Sequence, residues 1–195
     1  MSSRVHFKPW IGKHYHAGIA PGRKLLLLGE SHYSSHPEKS DFTIELTREY
    51  VNHEWSHGFW TNIMQCVDGR PHAEIDRAEF WSRVALYNYV QEIVGESRGV
   101  APSASMFERG IEPFFEVLRS LQPTHVLVLC KRLWENLPNQ GSPESDFEAG
   151  GLRRERWTYP TIPGKSAVAT WIPHPSYGFS PKKWPPVIVS FLQEP

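Results

Sequence analysis

The chain has 195 residues, enough for one domain with a sizeable core, and 21 Lys+Arg balance 21 Asp+Glu for a formal charge of zero. That balance excludes a general pull toward nucleic acid or an anionic membrane, so any anionic partner must be held by a local patch such as Arg153, Arg154, Arg156, Lys165, Lys182 and Lys183. Two cysteines, Cys66 and Cys130, exclude a four-cysteine zinc site or an iron–sulfur cluster, and the absence of a signal sequence or membrane-length apolar run sets a reduced, cytoplasmic expectation.

Residues 1–23 are polar, aromatic and punctuated by Gly and Pro, and read as an irregular lead-in to a single domain spanning 1–195. Leu25-Leu26-Leu27-Leu28 is too short for a helix and apolar on both faces, which predicts a strand buried on both sides. Its exit, Gly29-Glu30-Ser31-His32-Tyr33, offers a carboxylate, a hydroxyl, an imidazole and a phenol where open α/β sheets place their ligand crevice. From Asp41, read as an N-cap, to about Cys66, apolar residues recur at helical spacing with a break at Gly58, predicting two helices. A helical turn over 76–83 precedes a second strand over 84–90 that ends near Asn88.

Residues 95–104 form a Gly/Pro/Ser loop. The helix predicted over 105–121 carries Phe107, Ile111, Phe114, Phe115 and Leu118 as one apolar stripe. His125-Val126-Leu127-Val128-Leu129-Cys130 is the clearest strand, followed by a short helix around 133–137. Residues 138–165 read as loop-rich, with room for a small hairpin; 167–172 make a fourth strand, and 186–193 a closing helix with Pro in its first turn. Strands alternating with helices predict a three-layer α/β/α fold on a short, mostly parallel four-stranded sheet. Glu30, Ser31, His32, Tyr33, Asn88 and His174 all follow strand ends, so they should converge on one edge.

This arrangement resembles the uracil-DNA glycosylase superfamily, as a divergent member. Gly29-Glu30-Ser31-His32-Tyr33 is similar to the family's Gly-Gln-Asp-Pro-Tyr water-activating loop at the glycine and the tyrosine, Asn88 lies where the family keeps its base-reading asparagine, and His174-Pro175-Ser176 matches the start of its His-Pro-Ser-Pro motif. The resemblance implies hydrolysis of the N-glycosidic bond of uracil or another deaminated base in single- or double-stranded DNA. It implies a monomer, no cofactor and no metal. Glu30 or Ser31 would position water and His174 would stabilise the leaving anion. Asn88 would read the base edge, Tyr33 would crowd the ring carbon that bears a methyl in thymine, and Phe42 would stack on the base. Ser176, Lys182 and Lys183 would hold phosphates and Phe179 would wedge into the gap left by the base.

The chain departs from the family where Ser31 replaces the loop aspartate, His32 the loop proline, and Tyr177-Gly178 the last proline and the usual wedge residue. A noncatalytic protein of the same fold that binds a nucleotide or nucleic acid is therefore the second reading. A zinc hydrolase is the third: His53-Glu54-Trp55-Ser56-His57 fits two histidines one helical turn apart with a glutamate between, and Glu79 is available as a further ligand.

Overall fold

A computed structural model describes residues 3–97, 99–176 and 178–193. Its strands are β1 (Trp10–Ile11), β2 (Leu25–Gly29), β3 (Ala85–Asn88), β4 (His125–Val128), β5 (Ser142–Ala149), β6 (Leu152–Ile162) and β7 (Lys165–Trp171). They form one mixed sheet in the order β1-β3-β2-β4-β7-β6-β5. The four strands expected from sequence are its parallel centre: Leu27 of β2 is level with Leu86 of β3 on one side and Leu127 of β4 on the other, and Leu127 with Thr170 of β7. The expected count of four is too small, because β1 adds to β3 and the β5–β6 hairpin adds to β7, all antiparallel.

The parallel centre explains the leucine run. Parallel neighbours require crossovers, and the crossover helices bury both faces of the sheet. Every residue of β2 is buried. Leu25 and Leu27 face a cluster built by α1 (Phe42–Val51), α2 (Gly58–Asp68), α3 (Arg77–Ser82) and α6 (Pro185–Gln193). Leu26 and Leu28 face the opposite cluster, with Phe107, Phe114 and Leu118 of α4 (Ala104–Leu121) and Leu133 of α5 (Lys131–Glu135). The predicted stripe on α4 is therefore its packed face. Ser103 caps that helix by accepting from Met106 N–H, and Gln122 ends it in the left-handed region just before Pro123.

Close approach of α4 to the sheet depends on Gly110, where an added Cβ would lie 2.4 Å from Cε1 of Tyr89 and 2.9 Å from the Tyr89 carbonyl oxygen. Because one of those atoms is backbone, Gly110→Ala is expected to lower folding stability by about 1–3 kcal/mol. Urea unfolding would show this as a lower midpoint at unchanged slope.

Two segments are more ordered than their composition suggests. The lead-in over 1–23 is not wholly irregular, since β1 pairs with β3, a 3-10 turn spans Tyr15–Ala17, and Phe7 and Tyr15 are buried. The region read as loop-rich holds the two longest strands, turned at Gly150 and Gly151, both at positive φ. Opposite charges face each other along the pair, Glu144 opposite Arg156 and Glu148 opposite Arg153, with Arg153 Nε pairing with Asp146 at 2.7 Å, while Phe147 and Tyr159 are buried. Among the described residues no helix is long and apolar enough to cross a membrane.

Candidate functional site

The carboxyl ends of β3, β2, β4 and β7 lie level on one edge, with Gly29 beside Asn88, Leu28 beside Val128 and Val128 beside Trp171. The chain leaving β2 supplies Glu30 to Tyr33, β3 ends on Asn88, the turn after β4 supplies Cys130 and Arg132, and His174 follows β7. Sequence reasoning brought most of these residues to this edge. It did not find Arg132.

Glu30 is the buried charge of the site, its side chain 5% exposed. Both carboxylate oxygens are taken by the half-exposed Arg132: Nε donates to Oε1 at 2.8 Å and Nη2 donates to Oε2. Such a two-point fork fixes direction as well as charge. The hydrogen bond and charge of Glu30 push the Arg132 pKa further up. The Cys130 thiol also reaches Oε1 at 3.6 Å; its own pKa is raised, first by burial and also by Glu30. Cys66 is buried with its thiol on Ile63 O, and burial pushes its pKa up, so neither cysteine is poised as a nucleophile.

His174 stands at the rim with its ring centroid 5.3 Å from that of Phe59. The residue is exposed at the surface, and desolvation by the protein packed around its ring is the main cause lowering its pKa; Glu30 pulls it up, and Arg132 and His57 push it down. It is therefore neutral near pH 7. Ser31 Oγ donates to Tyr33 Oη at 3.4 Å, and Tyr33 Oη donates to Val100 O at 3.0 Å.

Asn88, also buried, is engaged by His32. Its Nδ2 lies 3.0 and 3.2 Å from the two imidazole nitrogens and 3.4 Å from Ser31 O. Its Oδ1 lies over Gly29, where an added Cβ would stand 2.0 Å from it, so only glycine leaves the amide room. The His32 ring is 6% exposed, its centroid 5.0 Å from Phe7 and 4.9 Å from Phe42, and Nε2 is 2.8 Å from Thr43 Oγ1. Burial pushes its pKa down to about 3, so the imidazole is neutral. The slot between Phe42 and Asn88 expected to take a base thus holds the flat nitrogen ring of His32. The sequence places His32 on this edge, and the structure adds that its ring fills that slot.

The remaining expected contacts are mixed. Ser176 is half-buried, its N–H donating to His174 O at 2.7 Å. Lys182 and Lys183 are exposed on the 3-10 turn Pro181–Lys183. Phe179 does not stand free as a wedge: its ring stacks at 8° on Trp184, 6.1 Å between centroids, and packs against the core. Tyr177 lies outside the described residues.

The zinc reading fails on local structure. Helix α1 ends at Val51, His53 sits at φ +63°, and His57 caps α2 through Nδ1, which accepts from Phe59 N–H at 3.2 Å. The two histidines therefore share no helix face, and Glu79 is paired with Arg83 at 2.6 Å. Among the described residues no group of three His, Cys, Asp or Glu could hold a metal ion. No family model and no curated protein matches the chain.

Proposed function

We propose that the chain is a DNA base-excision glycosylase with the three-layer uracil-DNA glycosylase-like fold, hydrolysing the N-glycosidic bond of uracil or another deaminated base. The observation that carries this reading is that Phe42 and Asn88 hold a planar nitrogen heterocycle, the His32 ring, two residues along the β2 exit from the buried Glu30 carboxylate. A slot built for an aromatic face and an amide edge suits a flipped base once His32 swings aside.

In the proposed reaction water attacks the sugar carbon, the carbon–nitrogen bond breaks and its electron pair leaves with the base, and the proton lost by the water passes through solvent to the departing base anion. Asn88 offers one donor and one acceptor to the base edge, and Tyr33 and Ser31 line its entry. Glu30, held by Arg132, orients the water and stabilises the positive charge that develops on the sugar. His174 stabilises the departing anion. Ser176, Lys182 and Lys183 supply phosphate contacts that position the strand without reading it. Both cysteines are free thiols, which suits a reducing compartment.

Incubation with uracil-containing single- and double-stranded oligonucleotides, followed by alkali, is expected to yield cleaved strands. His174→Ala should slow cleavage on the order of 10²–10³-fold, the scale of losing one donor to a developing anion, and Asn88→Ala should abolish it. One observation favours a second reading, a noncatalytic nucleotide- or nucleic-acid-binding protein. Both Glu30 oxygens accept from Arg132, so the carboxylate is already engaged and less of it is open to a water. Intact oligonucleotides with measurable binding would select that reading, and neither cleavage nor binding would end both.

A further inference from the structure

A cavity with a volume of about 290 Å³ opens between α5 and β6. Its construction follows from two periodicities. Glu155, Trp157 and Tyr159 alternate along β6 and so share a face, while Lys131, Trp134 and Glu135 recur at one-turn spacing on α5, and both sets line the cavity. Tyr159, 2% exposed, is anchored by donating its hydroxyl to Pro138 O at 3.0 Å.

Glu155 is the organised group. Its Oε2 accepts two indole N–H bonds, from Trp134 and from Trp171, each at 2.9 Å. Those donors fix the carboxylate without neutralising it. Among the described residues Glu155 has no ion-pair partner within 4 Å and its Oε1 accepts no hydrogen bond, whereas Lys131 is matched by Glu135 at 3.3 Å. The lining carries two carboxylates and one ammonium beside two indoles, and the Arg154 guanidinium, 4.8 Å from the centroid of the Trp171 ring, is the further cation that feels the charge of Glu155 without reaching ion-pair distance.

We infer that this cavity binds an alkylammonium group, with Glu155 as counter-charge and Trp134 and Trp157 as aromatic walls. A carboxylate held in place beside aromatic rings recognises an organic cation by charge and by the negative ring face together. An anion would be repelled by the fixed Glu155 carboxylate, and a neutral ligand would leave that charge unused. The group reaches the site either on a free polyamine or on a lysine side chain of another protein.

Isothermal titration of the intact protein with spermidine, with tetramethylammonium chloride and with a lysine-containing peptide, each against sodium chloride at equal ionic strength, tests this. Saturable binding of the ammonium probes is expected, with none for sodium chloride or sodium glutamate. Spermidine binding more tightly than the peptide would indicate a free polyamine, and the reverse order a protein side chain. Glu155→Gln keeps an oxygen acceptor for both indoles and removes the charge, so it should fold normally and weaken binding roughly tenfold or more. Glu135→Gln should weaken it less. No binding to the native protein, equal binding by Glu155→Gln, or equal binding of glutamate would each overturn the inference. None of these results depends on glycosylase activity.

Discussion

Lowering the pH from 7 to 5 is expected to remove about 2 kcal/mol of folding stability through His32 alone. The sign follows from where the proton binds. In the unfolded chain the imidazole takes a proton near pH 6.5, whereas burial among Phe7, Phe42, Thr43 and Asn88 holds its folded pKa down at about 3. Between those values the unfolded state holds more protons. The stability from a neutral His32 is thus complete above pH 6.5 and is lost progressively as pH falls toward 3. His174, whose pKa is also lowered, adds in the same direction. Urea unfolding at pH 7 and pH 5 should show the difference, and His32→Gln, which cannot titrate, should flatten most of it. A variant that loses stability with acid as steeply as the native chain would acquit His32. The same proton should drive the imidazole out of its slot, so acid and base binding act on one side chain.

Arg132→Ala is expected to destabilise the fold by about 3 kcal/mol, because it removes the partner of a buried charge and leaves the other charge in place. Glu30 is nearly inaccessible and gives both oxygens to Arg132, whereas the guanidinium is half in solvent. The loss therefore falls on the carboxylate side. Arg132→Lys should recover only part of it, since an ammonium restores the charge but not the fork. Glu30→Gln combined with Arg132→Ala should be more stable than Arg132→Ala alone, the signature of a coupled pair in a double-mutant cycle. Strictly additive losses would mean that the fork contributes nothing as a pair. If Glu30 acts on water, Arg132→Ala should also depress cleavage in folded protein, by loosening the carboxylate that Arg132 aims.

The parallel centre of the sheet was legible because hydrophobicity wrote it. Four leucines in β2 and the His125–Val128 run can only be buried on both faces, and burial on both faces implies crossover helices. The common edge followed from that topology. The β5–β6 hairpin was legible only as room for a small one, and its full length was not, since its strands carry Glu144, Asp146, Glu148, Arg153 and Arg156, which look like a solvated loop in one dimension. Arg132 was missed for a related reason: one arginine after a strand resembles any surface charge until Glu30 is seen beneath it. His32 could have been suspected, as an imidazole in a loop flanked by predicted core. Its aromatic neighbours Phe7 and Phe42 lie 25 residues before and 10 residues after it in the chain, and no local pattern joins them. The paired histidines at 53 and 57 misled because spacing presupposes a helix, and the left-handed backbone at His53 breaks it.

The outermost strands bear on how the molecule behaves in a crowd. A chain with no net charge has little long-range repulsion to keep copies apart, so unsatisfied backbone along the two rims would be an invitation to grow fibres. One rim, β1, is two residues long. The other, β5, is interrupted by Pro143, carries three acids, and slips register between Glu144 and Phe147. A proline, a kink and a row of like charges deny a second chain the straight template it needs. Colloidal safety here is thus written into the borders of the sheet.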